Sequence, residues 1–445
     1  MPSRSARGFS RTRTVAAGVL ALSLILVAAA GPVAADTGPY LVKDINTSGS
    51  SSPRELTELN GKVYFSASGG AKGRELWVSD GTANGTRRVK DIRPGSQGSQ
   101  PFGLIASNGL MYFNANDGTT GQELWVTDGT TTGTRLVKDI GPGVASGNPL
   151  FFTPVNGTVF FSADDGVKGR ELWRTDGSEA GTQLVKDIVP GMQGSTPWEL
   201  TEFADKLVFR ATRCPTATCV TTLFKSNGTA AGTKPFKDRD GHLVTGDIHD
   251  LRVVGSQLYF YKDEGEIWRS KGDSSTLRSL GDFDPSTPIV DSGNRAFFTV
   301  GFELWKSNGT PGGTVKVTQV DTDWPEDLFD LDGTLFFWAG ALYRSDGTAE
   351  GTVQVGPDHQ SLYLEADQMA ALDGFLYYAG LSVHQGSCLE GDRTLWRSDG
   401  TPSGTLEVSP TPEACNLGYL TPLDGALFFA AGDGVSNVEL WRYVP

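Results

Sequence analysis

Eight side chains stand out as candidates for binding chemistry: Asp247, His249, Asp323, Trp324, Asp327, His359, Glu365 and His384. All lie outside the recurring pattern of the chain, in segments where length and composition vary. Carboxylates, imidazoles and an indole can hydrogen-bond to and stack on a sugar or a peptide. The acidic segments 321–327 and 358–367 carry the hard oxygens that suit calcium. Spacing fixes no metal centre, because neither His-x-x-x-His nor Cys-x-x-Cys occurs, and exposed loop histidines are the expected outcome. No catalytic residue is expected. Glycoside cleavage would need two carboxylates about 5 to 10 Å apart, which spacing alone cannot establish, and no Gly-x-Ser-x-Gly elbow is present.

The chain of 445 residues opens on an address. Arg4, Arg7, Arg11 and Arg13 precede an apolar stretch from Val15 to Ala30, and Val33-Ala34-Ala35 offers small residues for cleavage before Asp36. Residues 1–35 are therefore expected to be a signal peptide and 36–445 the functional domain, secreted to the extracellular space, periplasm or cell envelope. Losing the four arginines takes the net charge from −14 to −18. That charge excludes nucleic acid as a partner, and no later segment is apolar enough to span a membrane. In an oxidising compartment the four cysteines are expected to pair as Cys214 with Cys219 and Cys388 with Cys415.

The elements that must position these residues follow from a repeat. Glu75-Leu76-Trp77-Val78-Ser79-Asp80-Gly81-Thr82 recurs in the same form at Glu123 and Glu171, each 48 residues on. Equivalent aromatics continue as Phe224, Trp268, Trp305, Tyr343, Trp396 and Trp441, nine in all, at a mean spacing of 45.5. This is the length of a four-stranded propeller blade. The first unit predicts strands over Glu55–Leu59, Lys62–Ala67, Glu75–Ser79 and Arg87–Ile92, separated by Asn-Gly and Asp-Gly turns. Runs such as Val63-Tyr64-Phe65 are apolar at both parities, as in strands buried on both faces. Lys and Asp in the fourth strand, as in Val89-Lys90-Asp91-Ile92, suit an outer edge that must discourage pairing with other chains.

Leu41-Val42-Lys43-Asp44-Ile45 is a fourth strand with nothing before it, and Glu439-Leu440-Trp441-Arg442-Tyr443 a third strand with nothing after it. The two ends complete one blade. The expected fold is all-β, a single β-propeller of about nine four-stranded blades closed by pairing of the N- and C-terminal strands. Eight blades are the alternative, since the fifth unit lacks the second Gly-Thr. The repeated Asp-Gly is read as turn chemistry rather than as calcium loops, and the repeated Trp as filling between blades.

This pattern resembles the bacterial secreted proteins that carry Glu-Leu-Trp-x-x-Asp-Gly-Thr (ELWxxDGT) repeats. Asp/Asn-Gly-Thr/Ser follows the aromatic in seven of nine units, at Asp80, Asp128, Asp176, Asn227, Asn308, Asp346 and Asp399. The likeness covers nearly all of the mature chain, although unit five departs from it and unit nine stops before the turn. It implies a secreted or surface repeat protein and carries over no catalytic residue.

With strands ordered from the axis outward, the loops after strands two and four open on one face, which collects the histidines, the cysteines and the acidic segments. A binding or adhesion module is therefore expected, presenting that face to an extracellular glycan, protein or cell-envelope component, as a monomer without a cofactor, calcium being the one ion allowed for. The alternatives are a propeller enzyme acting on polysaccharide as a hydrolase or lyase and, more remotely, an oxidoreductase similar to the quinoproteins. Against the latter, Trp here precedes Asp-Gly-Thr and no adjacent cysteine pair exists.

Overall fold

The structure is a computed structural model that describes residues 38–214, 218–320, 323–357, 368–381, 393–408, 414–432 and 437–445. The expected leader lies outside these residues, and Gly38–Pro445 forms a unit of its own.

Asn60-Gly61 joins Arg54–Leu59 to Lys62–Ser68, with Asn60 at φ 53° and Gly61 at φ 72°, the positive angles a two-residue hairpin turn requires. Arg74–Ser79 and Arg87–Arg88 complete the first antiparallel sheet, in sequence order. Eight further four-stranded sheets follow, giving a nine-bladed β-propeller. The fifth blade is complete despite its missing Gly-Thr, with strands Ile248–Val254, Gln257–Lys262, Glu266–Ser270 and Arg278–Asp282. There Asp273 and Thr276 rebuild the turn: the Asp273 carboxylate accepts from the Thr276 N–H, and the Thr276 hydroxyl accepts from the Lys271 N–H.

Blade nine combines Cys415–Leu423, Ala426–Gly432 and Val438–Tyr443 with Tyr40–Lys43, so the two ends of the chain share one sheet. Its junction with blade one is a core of Val42, Phe428 and Leu440 against Val63, Phe65 and Ala67. Comparable clusters fill the other spaces between blades, and Val63, Tyr64 and Phe65 are all buried. Third-strand aromatics stack on second-strand ones in several blades, as in Phe209–Phe224, Phe298–Trp305 and Tyr378–Trp396. The repeated aromatic is thus a packing residue.

The fourth strand is shorter than its β-favouring run. In blade one it pairs over Arg87–Arg88, the Val89 N–H still donates to the Leu76 carbonyl at 2.9 Å, and the N–H groups of Ile92 and Arg93 donate instead to the Glu75 carboxylate. Its lysines also do more than guard an edge. Lys43, Lys90 and Lys186 donate to the carbonyls of Thr86, Thr134 and Thr233 on the next blade, at 2.7, 2.7 and 2.9 Å. Among the described residues no helix is long and apolar enough to cross a membrane.

Candidate functional site

The two faces of the ring differ in how their polar groups are satisfied. On the face of the third turn of each blade, Asp128 accepts from the Thr130 N–H and hydroxyl at 2.8 and 2.7 Å, and the Thr130 hydroxyl accepts from the Gly133 N–H at 2.9 Å. A hydroxyl pair, Thr127 with Thr134 at 2.6 Å, closes the base. The same network is built on Asp80, Asp176, Asn227, Asn308, Asp346 and Asp399. These hydrogen bonds hold the carboxyls of Asp80, Asp128 and Asp176 below the usual range. One oxygen of each carboxylate, Oδ1, is spent on the turn.

On the opposite face, the Glu of the repeat ties down the loop between blades. Glu123 accepts from the N–H groups of Ile140, Gly141 and Gly147 at 3.0, 3.0 and 2.6 Å. Fully buried, it is pushed up to about 7 by desolvation, which outweighs those three donors. Glu75 and Glu171 hold Ser99 and Ser195 in the same way, and burial raises both. Because these latches fix the base of the loops that follow blades one, two and three, residues beyond them there can vary without loss of the ring.

Every exposed Trp and Phe among the described residues stands on this second face or at its mouth: Phe151 at 40%, Trp198 at 45%, Phe302 at 43% and Trp324 at 55%. Phe151 and Trp198 lie near the starts of the innermost strands of blades three and four, Leu150–Val155 and Trp198–Phe203, with ring centroids 5.6 Å apart. The Arg210 guanidinium sits 5.3 Å from the Trp198 ring centroid and forms an ion pair with Glu199 at 3.3 Å. Beside them a cleft of 220 Å³ is lined by Thr196, Trp198, Arg210, Thr212 and Thr221. The disulfide of Cys214 with Cys219 closes the hairpin loop next to it.

The expected site residues divide into two clusters. In blade five, His249 lies 3.9 Å from Asp247 and 5.4 Å from the Tyr261 ring. It occupies the strand Ile248–Val254 rather than a loop, at a bulge where Asp250 has φ 55°. At the start of blade seven, Asp323 accepts from the Trp324 N–H, and Trp324 packs edge-on against Phe302 at 5.5 Å. Asp327 belongs to the innermost strand Glu326–Leu331, and with Asp323 it adds to the burial that raises Glu326. No hydrogen bond or ion pair joins the two clusters among the described residues, and no three His, Cys, Asp or Glu there come together as a metal site. His359, Glu365, His384 and Cys388 lie outside the described residues; Cys415 is disulfide-bonded, and no described cysteine is free.

Sequence reasoning missed Phe151, Trp198 and Arg210. One signal was available: of the ten Trp, only Trp198, Trp324 and Trp338 fall outside the third-strand series.

No family model matches the chain, and no curated protein matches it either. Solved structures do. The computationally designed Ika8 protein shares 15% identity at a TM-score of 0.45, over 92% of this chain and all of that one. A virginiamycin B lyase from Staphylococcus aureus shares 14% at 0.37, over 68% of this chain and 95% of that one. A puromycin hydrolase shares 15% at 0.34, and the match takes in 64% of this chain and half of the length of that one. At such identities the likeness carries no functional argument.

Proposed function

We propose that the protein is a secreted binding module, a rigid ring that presents the face of its second and fourth loops to an extracellular glycan, protein or cell-envelope ligand. The reading is carried by the asymmetry of the faces. One is capped by short turns that tie down one oxygen of each Asp and leave a cleft of 100 Å³ beside Asn156 and Asn227, and the other holds every exposed Trp and Phe of the described residues together with the 220 Å³ cleft. Exposed aromatics gathered on a scaffold of this kind are what recognition surfaces use. The disulfide supports an oxidising compartment.

The test is binding to arrays of glycans and to cell-envelope fractions, comparing the wild type with one variant on each face. A Trp198→Ala, Trp324→Ala double variant should lose the ligand, and Glu179→Arg, on an exposed turn of the other face, should keep it. The reverse pattern would overturn the assignment of the face. Release of new reducing or unsaturated ends from a polysaccharide would replace binding with catalysis.

A further inference from the structure

We infer that the cleft of blade four seats one uncharged pyranose ring of an oligosaccharide on Trp198. The inference rests on the face assignment above and narrows it to one ligand class and one place.

Size comes first. At 220 Å³ the cleft is smaller than the ~300 Å³ at which sites for drug-sized ligands begin, so it suits a single small ring with the rest of the chain lying across the face. Its platform is an indole with nearly half its surface exposed, and that indole is held in place. Arg210 covers it at 5.3 Å from the centroid, and Phe151 leans against it at an interplanar angle of 36°. An aromatic fixed before binding gives contact area at little entropic cost. The axial C–H groups of a pyranose present the matching flat, apolar surface.

The polar side of the cleft matches the remainder of a sugar. Thr212 and Thr221 are directly opposed across the second and third strands of the blade, and Thr196 enters from the preceding loop. A threonine hydroxyl donates once and accepts twice, as a sugar hydroxyl does. None of these three hydroxyls is used in a hydrogen bond within the described structure, whereas the repeated hydroxyl pairs of the other face, such as Thr127 with Thr134 and Thr175 with Thr182, bond to each other.

Charge decides against an acidic sugar. Arg210 is the one cation lining the cleft among the described residues, and its two terminal nitrogens are engaged: Nη1 donates to the Ile248 carbonyl at 2.8 Å, and Nη2 faces Glu199 at 3.3 Å, while the buried Nε has no partner. With the guanidinium charge balanced by Glu199 and a chain of net charge −14, an anionic glycan gains no unpaired charge and meets repulsion.

The whole protein is titrated with hexasaccharides of glucose, xylose, mannose and N-acetylglucosamine, and with hexagalacturonate as the acidic control, by calorimetry and tryptophan fluorescence. At least one neutral hexasaccharide should bind and the acidic one should not. Trp198→Ala should weaken that binding about tenfold, the loss expected for an aromatic anchor, with Trp198→Phe retaining most of it and Thr212→Val lowering it. Glu179→Arg, on the other face, should leave it unchanged, and unaltered melting certifies each variant. Binding of none of the neutral sugars, or of the acidic one alone, overturns the inference. So does neutral binding that survives Trp198→Ala; if it falls instead with Trp324→Ala, the face stands and the place is wrong. Loss only in Glu179→Arg removes the face as well.

Discussion

Glu439 and Ser51 are 388 positions apart, yet the Glu439 carboxylate accepts from both the Ser51 N–H at 3.0 Å and the Ser51 hydroxyl at 2.5 Å. The same carboxylate accepts from the Ile45 N–H at 3.0 Å. It is the loop latch of blades one to three used where the ring joins, with donors at one end of the chain and the acceptor at the other. Glu439→Ala would leave these buried donors unmet at about 1–3 kcal/mol each. We expect a loss of about 3 kcal/mol in urea unfolding. Deleting residues 38–45 should cost more, because it also uncovers Val63, Phe65 and Phe428 and cuts the Lys43 bond to Thr86. Equal stability of the deleted and intact chains would show that the ring is not held shut by this pairing.

Glu123 gives the stability a pH dependence of predictable sign. Its carboxyl is raised from 4.5 to about 7 in the folded chain, which therefore keeps a proton that the unfolded chain has already released. The resulting contribution is present in full below pH 4.5 and is lost as pH rises through 7. Glu75, Glu171 and Glu439 shift in the same direction. Urea midpoints at pH 5, 6, 7 and 8 should fall along the series, and the fall should be shallower in Glu123→Gln. Identical slopes in the two proteins would falsify the assignment to Glu123.

The blades were legible because each repeats a local requirement. Asp128, Gly129, Thr130, Gly133 and Thr134 make one turn whose bonds all close within seven residues, so the motif reports its own structure. Partners far apart in the chain leave no such trace. In sequence Lys90 reads as an edge charge, because its acceptor, Thr134, is 44 residues on and on another blade. Trp198 and Trp338 look alike as Trp outside the repeat, and only packing tells that one is exposed and the other almost fully buried. The bulge that carries His249 in a strand was hidden for the same reason, since its register is set by Tyr261 across the hairpin.

The turn network makes Gly133 irreplaceable for a steric reason. A methyl group there would occupy the space of the Asp128 carboxylate. Gly133→Ala must therefore displace Asp128 and break its bonds to Thr130, and a melting temperature several degrees lower is expected. Asp128→Ala relieves the clash, so the double variant should lose less than the two single losses combined. Strict additivity would mean that the two positions do not share one turn.

The bridge of Cys214 with Cys219 spans so short a loop that chain entropy assigns it about 2 kcal/mol at most. Its place suggests a local task. Arg213 pairs with Val220, and Thr212 with Thr221, so the bridge clamps the hairpin immediately beyond the two threonines that line the cleft. Replacing both cysteines by serine should lower melting by only a few degrees, while amide exchange at Thr212, Val220 and Thr221 speeds up. Neutral hexasaccharide binding should weaken with it, because hydroxyls that fluctuate must be ordered again by the ligand. If exchange at those amides is unchanged, the ladder alone holds the hairpin, and the disulfide has no part in shaping the cleft.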